Sequence, residues 1–286
     1  MKTNIPRIAA IHSLPSFGRS SLSVIIPVLS SMGMQVCPIP TSVLSSHTGG
    51  LGDVEKIDLD GYISACFEKY NKLGIEFDCI YSGYFGKEEQ IEDLLEIYKS
   101  HKESFKAVDP VMGDAGKPYR FFTEALIDKV RQLSMKADLI TPNLTESYLL
   151  LNKPFDPAPL NSSSAKSILS VLSLKGPKMV VITGATMSDG IYNIGYDRDK
   201  NTYFRIKCRY VPVSYPGTGD IFAATVVGEI MQGKSLPLAC EAATRFCERS
   251  VKSTYSYSSD PRFGVMFEPY LSDLPNSKES GNYELL

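Results

Sequence analysis

No two of the six cysteines stand in a Cys-x-x-Cys pair, and no cysteine–histidine spacing reads as a zinc site. Cys37, Cys66, Cys79, Cys208, Cys240 and Cys247 therefore read as reduced, mostly buried thiols of a cytoplasmic protein. The opening residues, MKTNIPRIAAIHS, hold no signal-peptide apolar run, and no stretch is apolar for long enough to span a membrane. The expectation is a soluble protein with no membrane partner. Charge excess is also missing, at a formal net −2. That argues against a general polyanion surface and a nucleic-acid partner, and leaves room only for a local basic pocket. No Gly-x-Gly-x-x-Gly follows the first apolar run, which weighs against a nicotinamide oxidoreductase. Neither an internal repeat nor a dividing linker is visible, so the simplest organisation is one domain over 1–286. A Ser-, Pro- and Gly-rich tail from about residue 256 is expected to lie loosely.

Apolar residues make up 43% of the 286, enough for a sizeable core. Short apolar runs alternate with helical patterns. Strands are expected at 7–13, 35–45, 78–83, 105–108, 138–142 and 178–184. Helices are expected at 20–33 with a bend near Pro27, and at 59–74, 87–103, 123–137, 145–152 and 164–176. Near 189–211 the residues alternate around DRDKN, the mark of a β-hairpin. Two further helices, about 218–233 and 236–254, follow. Repeated strand–helix units predict an α/β fold, a mostly parallel central sheet with helices on both faces. Such sheets bind ligands beyond the carboxyl ends of their strands.

The unusual residues all fall there. Ser13 follows the first strand, the stretch SHTGG with His47 and Thr48 the second, and Tyr84 the third. DPVMGD, with Asp109 and Asp114, follows the fourth; NLTE, with Asn143 and Glu146, the fifth; Thr183 and Gly184 close the sixth. In YPGTGDIFAA, Gly217 and Gly219 permit a tight turn and remove side-chain bulk. An apolar helix begins at Ile221, so the N–H groups of Thr218, Gly219 and Asp220 become its free donors. Those donors attract phosphate oxygens. A carboxylate in the same place is stabilised by the helix dipole and can take a proton from a substrate hydroxyl. Asp220 read alone is equally an ordinary first-turn acid. Asn143 and Glu146, three apart at a helix start, form a capping box or hold Mg²⁺ through water, and the two readings are compatible.

DPVMGD, TPNLTE, VVITG and PGTGDIFAA, in that order, resemble the ribokinase-like superfamily of small-molecule kinases. AIHSLPSFGRSS, SSHTGG and SGYFG resemble its pyridoxal kinase branch, which phosphorylates the 5′-hydroxymethyl group of vitamin B6. The resemblance runs from about residue 7 to 255. It implies Asp220 as catalytic base and Gly217, Thr218 and Gly219 as the anion hole. It implies Asp114 and Glu146 at Mg²⁺, and Asp109 near the phosphates and a monovalent cation. Asn143, Thr183 and Gly184 would meet the nucleotide, ATP. Ser13 would face the pyridine ring, with His47, Thr48 and Tyr84 lining its pocket. A homodimer is implied in the same way.

The chain departs from the branch at Ser21-Leu22, where Gly-Asn is usual, and at Pro15 and Ser16, where valines are usual. These changes touch the vitamin pocket and bring in hydroxymethylpyrimidine kinases, which share the fold and the Gly-Thr-Gly-Asp chemistry. A non-catalytic vitamin- or nucleotide-binding protein is a third reading, against which the intact Asp220 counts. His12 is expected to pack or face solvent, and His101 to be solvated.

Overall fold

A computed structural model describes residues 5–209, 212–275 and 281–286. In chain order the first half runs β1 (Arg7–Pro15), α1 (Leu22–Ser31), β2 (Gln35–Leu44), β3 (Lys56–Asp58), α2 (Tyr62–Lys72), β4 (Cys79–Ser82), α3 (Glu88–Ser100) and β5 (Phe105–Val108). The short pair β6 (Gly113–Asp114) and β7 (Lys117–Pro118) follows, then α4 (Glu124–Ser134), β8 (Leu139–Ile140), α5 (Leu144–Leu151) and α6 (Ser162–Leu174). The last part is β9 (Met179–Met187), β10 (Gly190–Asp197), β11 (Thr202–Lys207), α7 (Thr218–Met231), α8 (Leu236–Ser256) and β12 (Glu284–Leu285).

The main sheet has the order β12-β11-β10-β9-β8-β5-β4-β1-β2-β3. Its centre, from β9 to β2, is parallel, and both flanks are antiparallel. Side chains alternate across it. Ala9 and Ile11 join the core under α2 to α6, whereas Ile8 and Ala10 join the core under α1, α7 and α8. Helices therefore cover both faces, and the strands read as continuous apolar runs because each is buried twice.

Helix α7 is apolar nearly all round because the sheet covers one side and α8 and α1 the others. Ile221 and Phe222 are buried directly after Asp220, each contributing roughly 1.5–3 kcal/mol. That packing makes α7 a rigid mount for the acid at its start. At Gly228 a side-chain carbon would lie 2.4 Å from Met32 Sδ, so α1 and α7 approach closely there. Helix α1 runs through Pro27 without a break.

Some expectations change. The run 178–184 continues to Met187, and β9 pairs back with β10, so the hairpin becomes a three-stranded meander. The far end of the expected hairpin, Tyr210 and Val211, lies outside the described residues. His101 is half-buried against Phe67, ring centroids 5.1 Å apart, because it caps α3 where the helix meets the core. The tail is not loose over 261–275. Val265, Phe267 and Leu274 are buried in the core with α1, α7 and α8, and β12 adds a strand beside β11. The stretch is broken by Pro261, Gly264 and Pro269 into short turns, so its apolar residues give no sustained period. No helix among the described residues is long and apolar enough to cross a membrane.

Candidate active site

Beyond the carboxyl ends of the parallel strands lies a cavity of about 1110 Å³. Sheet order sets its layout. The ends of β1, β2 and β4 bring Ser13, His47 and Tyr84 to one side. The ends of β5 and β8 and the start of α7 bring Asp109, Glu146 and Asp220 to the middle. The end of β9 brings Thr183 to the far side. Thr48, Asp114, Asn143, Gly184 and the Gly217–Gly219 turn line the same cavity.

The first side is built from a sheet irregularity. Between His12 and Leu14 the pairing of β1 with β2 slips, so Ser13 stands opposite two residues, Thr41 and Ser42. A bulge of this kind bends the strand and re-aims a side chain. Ser13 Oγ lies 3.0 Å from Ser21 Oγ. His12, its neighbour, is buried against Tyr81, and burial pushes its ring down to about 3, so it stays neutral. Tyr84 packs edge-on to Phe122, centroids 5.9 Å apart.

His47 reaches the cavity wall, but both ring nitrogens are used by main chain. Nδ1 accepts from Gly49 N–H at 3.0 Å, which leaves Nε2–H to donate to Arg262 C=O at 2.7 Å. The ring also fills the space beside Gly18, where a side-chain carbon would lie 2.1 Å from it. His47 thus pins the loop after β2 to the chain at 262, and neither nitrogen is left for a ligand.

Three carboxylates meet in the middle. Burial pushes Asp109 well above the usual carboxylate range, and the charges of Glu146 and Asp220 push it the same way, against the Thr141 hydroxyl. Glu146 is 4% exposed. Burial raises it to about 8, against the pull of the N–H groups of Asn143, Met112 and Gly113. Asp220 is half-buried and raised to about 6 by desolvation, against the pull of the Ser21 N–H. Asp114, by contrast, is exposed, with Oδ1 accepting from Ala115 N–H at 2.7 Å.

The capping box at α5 is real. Asn143 Oδ1 accepts from Glu146 N–H at 2.9 Å, and Glu146 Oε2 accepts from Asn143 N–H at 2.8 Å. Asn143 Nδ2 donates to Gly113 C=O at 2.8 Å, which fastens the loop after β5 to α5. Gly184 N–H is also committed, donating to Asn193 Oδ1 at 3.0 Å. That amide is already paired within the chain, so any contact of Gly184 with a nucleotide would use its other atoms. Asn193 escaped sequence reasoning because nothing in a hairpin strand marks an inward-facing amide. Its Nδ2 donates to Thr244 Oγ1 at 2.9 Å, joining the meander to α8.

The turn before α7 fits an anion. The first bond of the helix runs from Ile221 N–H to Gly217 C=O, so the N–H groups of Thr218, Gly219 and Asp220 precede the ladder. Gly217 has φ +81°, and a side-chain carbon there would lie 1.8 Å from Arg19 C=O, so only glycine fits. Thr218 Oγ1 bonds Tyr215 C=O at 2.8 Å, which fixes the turn. Beside Gly219 nothing lies within 4 Å of a side-chain carbon, so the approach is open.

Residues 26–262 match the model of the phosphomethylpyrimidine kinase family. The chain belongs to this family. It is 39% identical to a protein of Bacteroides thetaiotaomicron described as a "putative phosphomethylpyrimidine kinase", whose structure was solved with pyridoxal. That likeness covers 99% of this chain and 100% of the other, at a TM-score of 0.94. A pyridoxal kinase of Lactobacillus plantarum is 29% identical over 95% of this chain and 97% of its own, at a TM-score of 0.87. A pyridoxal kinase of Arabidopsis thaliana is 28% identical over 222 residues, 72% of this chain and 68% of its own. These likenesses place the chain in the ribokinase-like fold, on the side of its pyridoxal kinase branch.

Proposed function

We propose that the protein transfers the γ-phosphoryl group of ATP to the 5′-hydroxymethyl group of pyridoxal, pyridoxine or pyridoxamine. The observation that carries this reading is Asp220, held on a buried helix beside three free N–H groups and open to a cavity large enough for two substrates. The pyridoxal found in the Bacteroides protein supports a pyridine substrate, whose ring the resemblance would set at the Ser13 side. The alternative, a hydroxymethylpyrimidine, has the family's name in its favour.

Chemically, Asp220 sits near the optimum for a general base. Raised to about 6, it is ionised at neutral pH yet basic enough to take a proton. Its carboxylate orients the substrate O–H and accepts the proton as the oxygen forms a bond to the γ-phosphorus. The bond from that phosphorus to the β–γ bridging oxygen breaks, and ADP leaves. The N–H groups of Thr218, Gly219 and Asp220 hold the charge on the transferring oxygens, already aimed before the reaction.

The carboxylates in the middle suit a divalent cation. Glu146 and Asp220 each repel Asp109, and added positive charge would relieve that repulsion. Mg²⁺ takes few protein ligands and fills its shell with water and phosphate oxygens, so Glu146 and Asp114 suffice to hold it. When bound, it would neutralise the phosphate oxygens during transfer. A monovalent cation would sit beside Asp109. A homodimer remains the expectation from resemblance, and the cytoplasm the expectation from the cysteine pattern.

The test is a panel of the three B6 alcohols and hydroxymethylpyrimidine with Mg-ATP, read as product phosphate ester. Turnover on a B6 alcohol at least tenfold above the pyrimidine supports the reading. The reverse order assigns the site to the pyrimidine. Tight pyridoxal binding without ATP turnover would make the protein a binder.

A further inference from the structure

Ser21 stands where the backbone asks for glycine. Its φ is 50° and its ψ −133°. Asn152, at φ 52° and ψ 49°, occupies the ordinary left-handed well that asparagine tolerates. Ser21 does not, since positive φ with ψ near −130° is the first central position of a type II′ turn, a glycine position. A side chain held there costs stability, and such strain persists only where surrounding contacts enforce it.

The contacts are specific. Ser21 C=O accepts from Val24 and Ile25 N–H, both at 2.9 Å, and so starts α1. Ser21 N–H faces the Asp220 carboxylate and lowers its proton affinity. Next to it Arg19 C=O presses on Gly217, so the loop before α1 and the turn before α7 are in contact. Glycine could perform all of these backbone roles without strain. What serine adds is Oγ, buried and 3.0 Å from Ser13 Oγ. Both residues line the cavity.

We infer that Ser21 is a positioning residue for the alcohol substrate, its hydroxyl fixing the rotamer of Ser13 while its backbone aims Asp220. The inference rests on the proposed reading of the site as a hydroxymethyl kinase. A hydroxyl has one donor and two acceptor positions, and Ser13 spends its donor on Ser21 Oγ. Its acceptor positions remain, and they would meet a ring N–H, such as that of a protonated heterocycle nitrogen, or a polar hydrogen on the ring edge. One residue thus sets the distance between two points on the substrate, the ring edge at Ser13 and the reacting hydroxyl at Asp220. The strain is retained for the hydroxyl pair, not for the base, which needs only the N–H.

Two substitutions in the full chain separate these parts. Ser21→Gly removes the hydroxyl and the strain; Ser21→Ala removes the hydroxyl and keeps the strain. Both keep the N–H to Asp220. The KM for the preferred alcohol should rise about five- to tenfold in both, the worth of roughly one hydrogen bond, with kcat falling less than about threefold and the KM for ATP unmoved. The glycine variant should melt about 2 °C above the alanine variant. An alcohol KM within about twofold of wild type in both variants overturns the hydroxyl role. A kcat loss as large as the KM rise overturns the separation from Asp220. A glycine variant less stable than the alanine variant overturns the strain. Wild type is run on pyridoxal and on hydroxymethylpyrimidine in the same series. Turnover on the pyrimidine alone defeats the vitamin reading but leaves the Ser21 comparison decisive on that substrate, whereas a chain that neither binds nor phosphorylates either alcohol defeats both.

Discussion

Replacing Asp220 with asparagine should abolish turnover and stabilise the protein, and both effects follow from one burial. Asparagine keeps the shape and keeps an oxygen to accept the Ser21 N–H, but loses the charge and the basicity. Losing a general base costs about 10²–10⁴ in kcat. The stability gain comes from the raised proton affinity. In the unfolded chain the group titrates near 3.8; in the fold it titrates at about 6. Below the unfolded value the carboxyl is protonated in both states and folding bears no charge penalty. As pH rises from there through the folded value, the native state holds on to a proton that the unfolded chain has released, and stability falls. Above about 6 the loss is complete. Each tenfold gain in proton affinity is worth about 1.4 kcal/mol, so the rise from 3.8 to about 6 comes to about 3 kcal/mol for a fully dry group. Asp220 is half-buried, which reduces this to about 2 kcal/mol. For a chain this size that is about 4–8 °C in melting temperature. The assay is thermal unfolding of wild type and Asp220→Asn without ligands, from about pH 4.5 to 8. The gap should be small at the acid end and reach its full size by about pH 7. A gap that does not change with pH would refute the burial argument. An asparagine variant with wild-type turnover would remove Asp220 from the chemistry.

Gly217→Ala forces a carbon to within 1.8 Å of Arg19 C=O at a positive φ, so at least tenfold of kcat and about 1–3 kcal/mol of stability should be lost together. Unchanged kinetics would mean that the turn before α7 does not need its shape. Glu146, raised to about 8, binds metal in competition with a proton, so half-saturating Mg²⁺ should fall as pH goes from about 7 to 9. A flat Mg²⁺ requirement would take Glu146 away from the metal, and chelation that spares turnover would take the metal out of the reaction. His47→Ala breaks two bonds to main chain, so melting should drop by the equivalent of about 1–2 kcal/mol. A rise in alcohol KM with unchanged melting would instead make His47 a direct ligand.

Periodicity and turn chemistry on their own determined the order and type of the longer strands and helices, because each apolar run or amphipathic stripe is a local pattern; β3, β6, β7 and β12, two or three residues each, are too short to carry one. The start of α7 at Gly217–Asp220 and the capping box of Asn143 and Glu146 were legible for the same reason, since a helix terminus is written in three or four adjacent residues. The tertiary structure alone decided what lies between distant segments. The committed ring of His47, the Asn193 bridge to Thr244, the buried positions Val265 and Phe267, and the approach of Ser21 to Asp220 all depend on chain segments far apart in sequence. The raised proton affinity of Asp220 belongs with these. A carboxylate's neighbours in sequence say what it is, but its desolvation is set by the packing of the whole sheet around it.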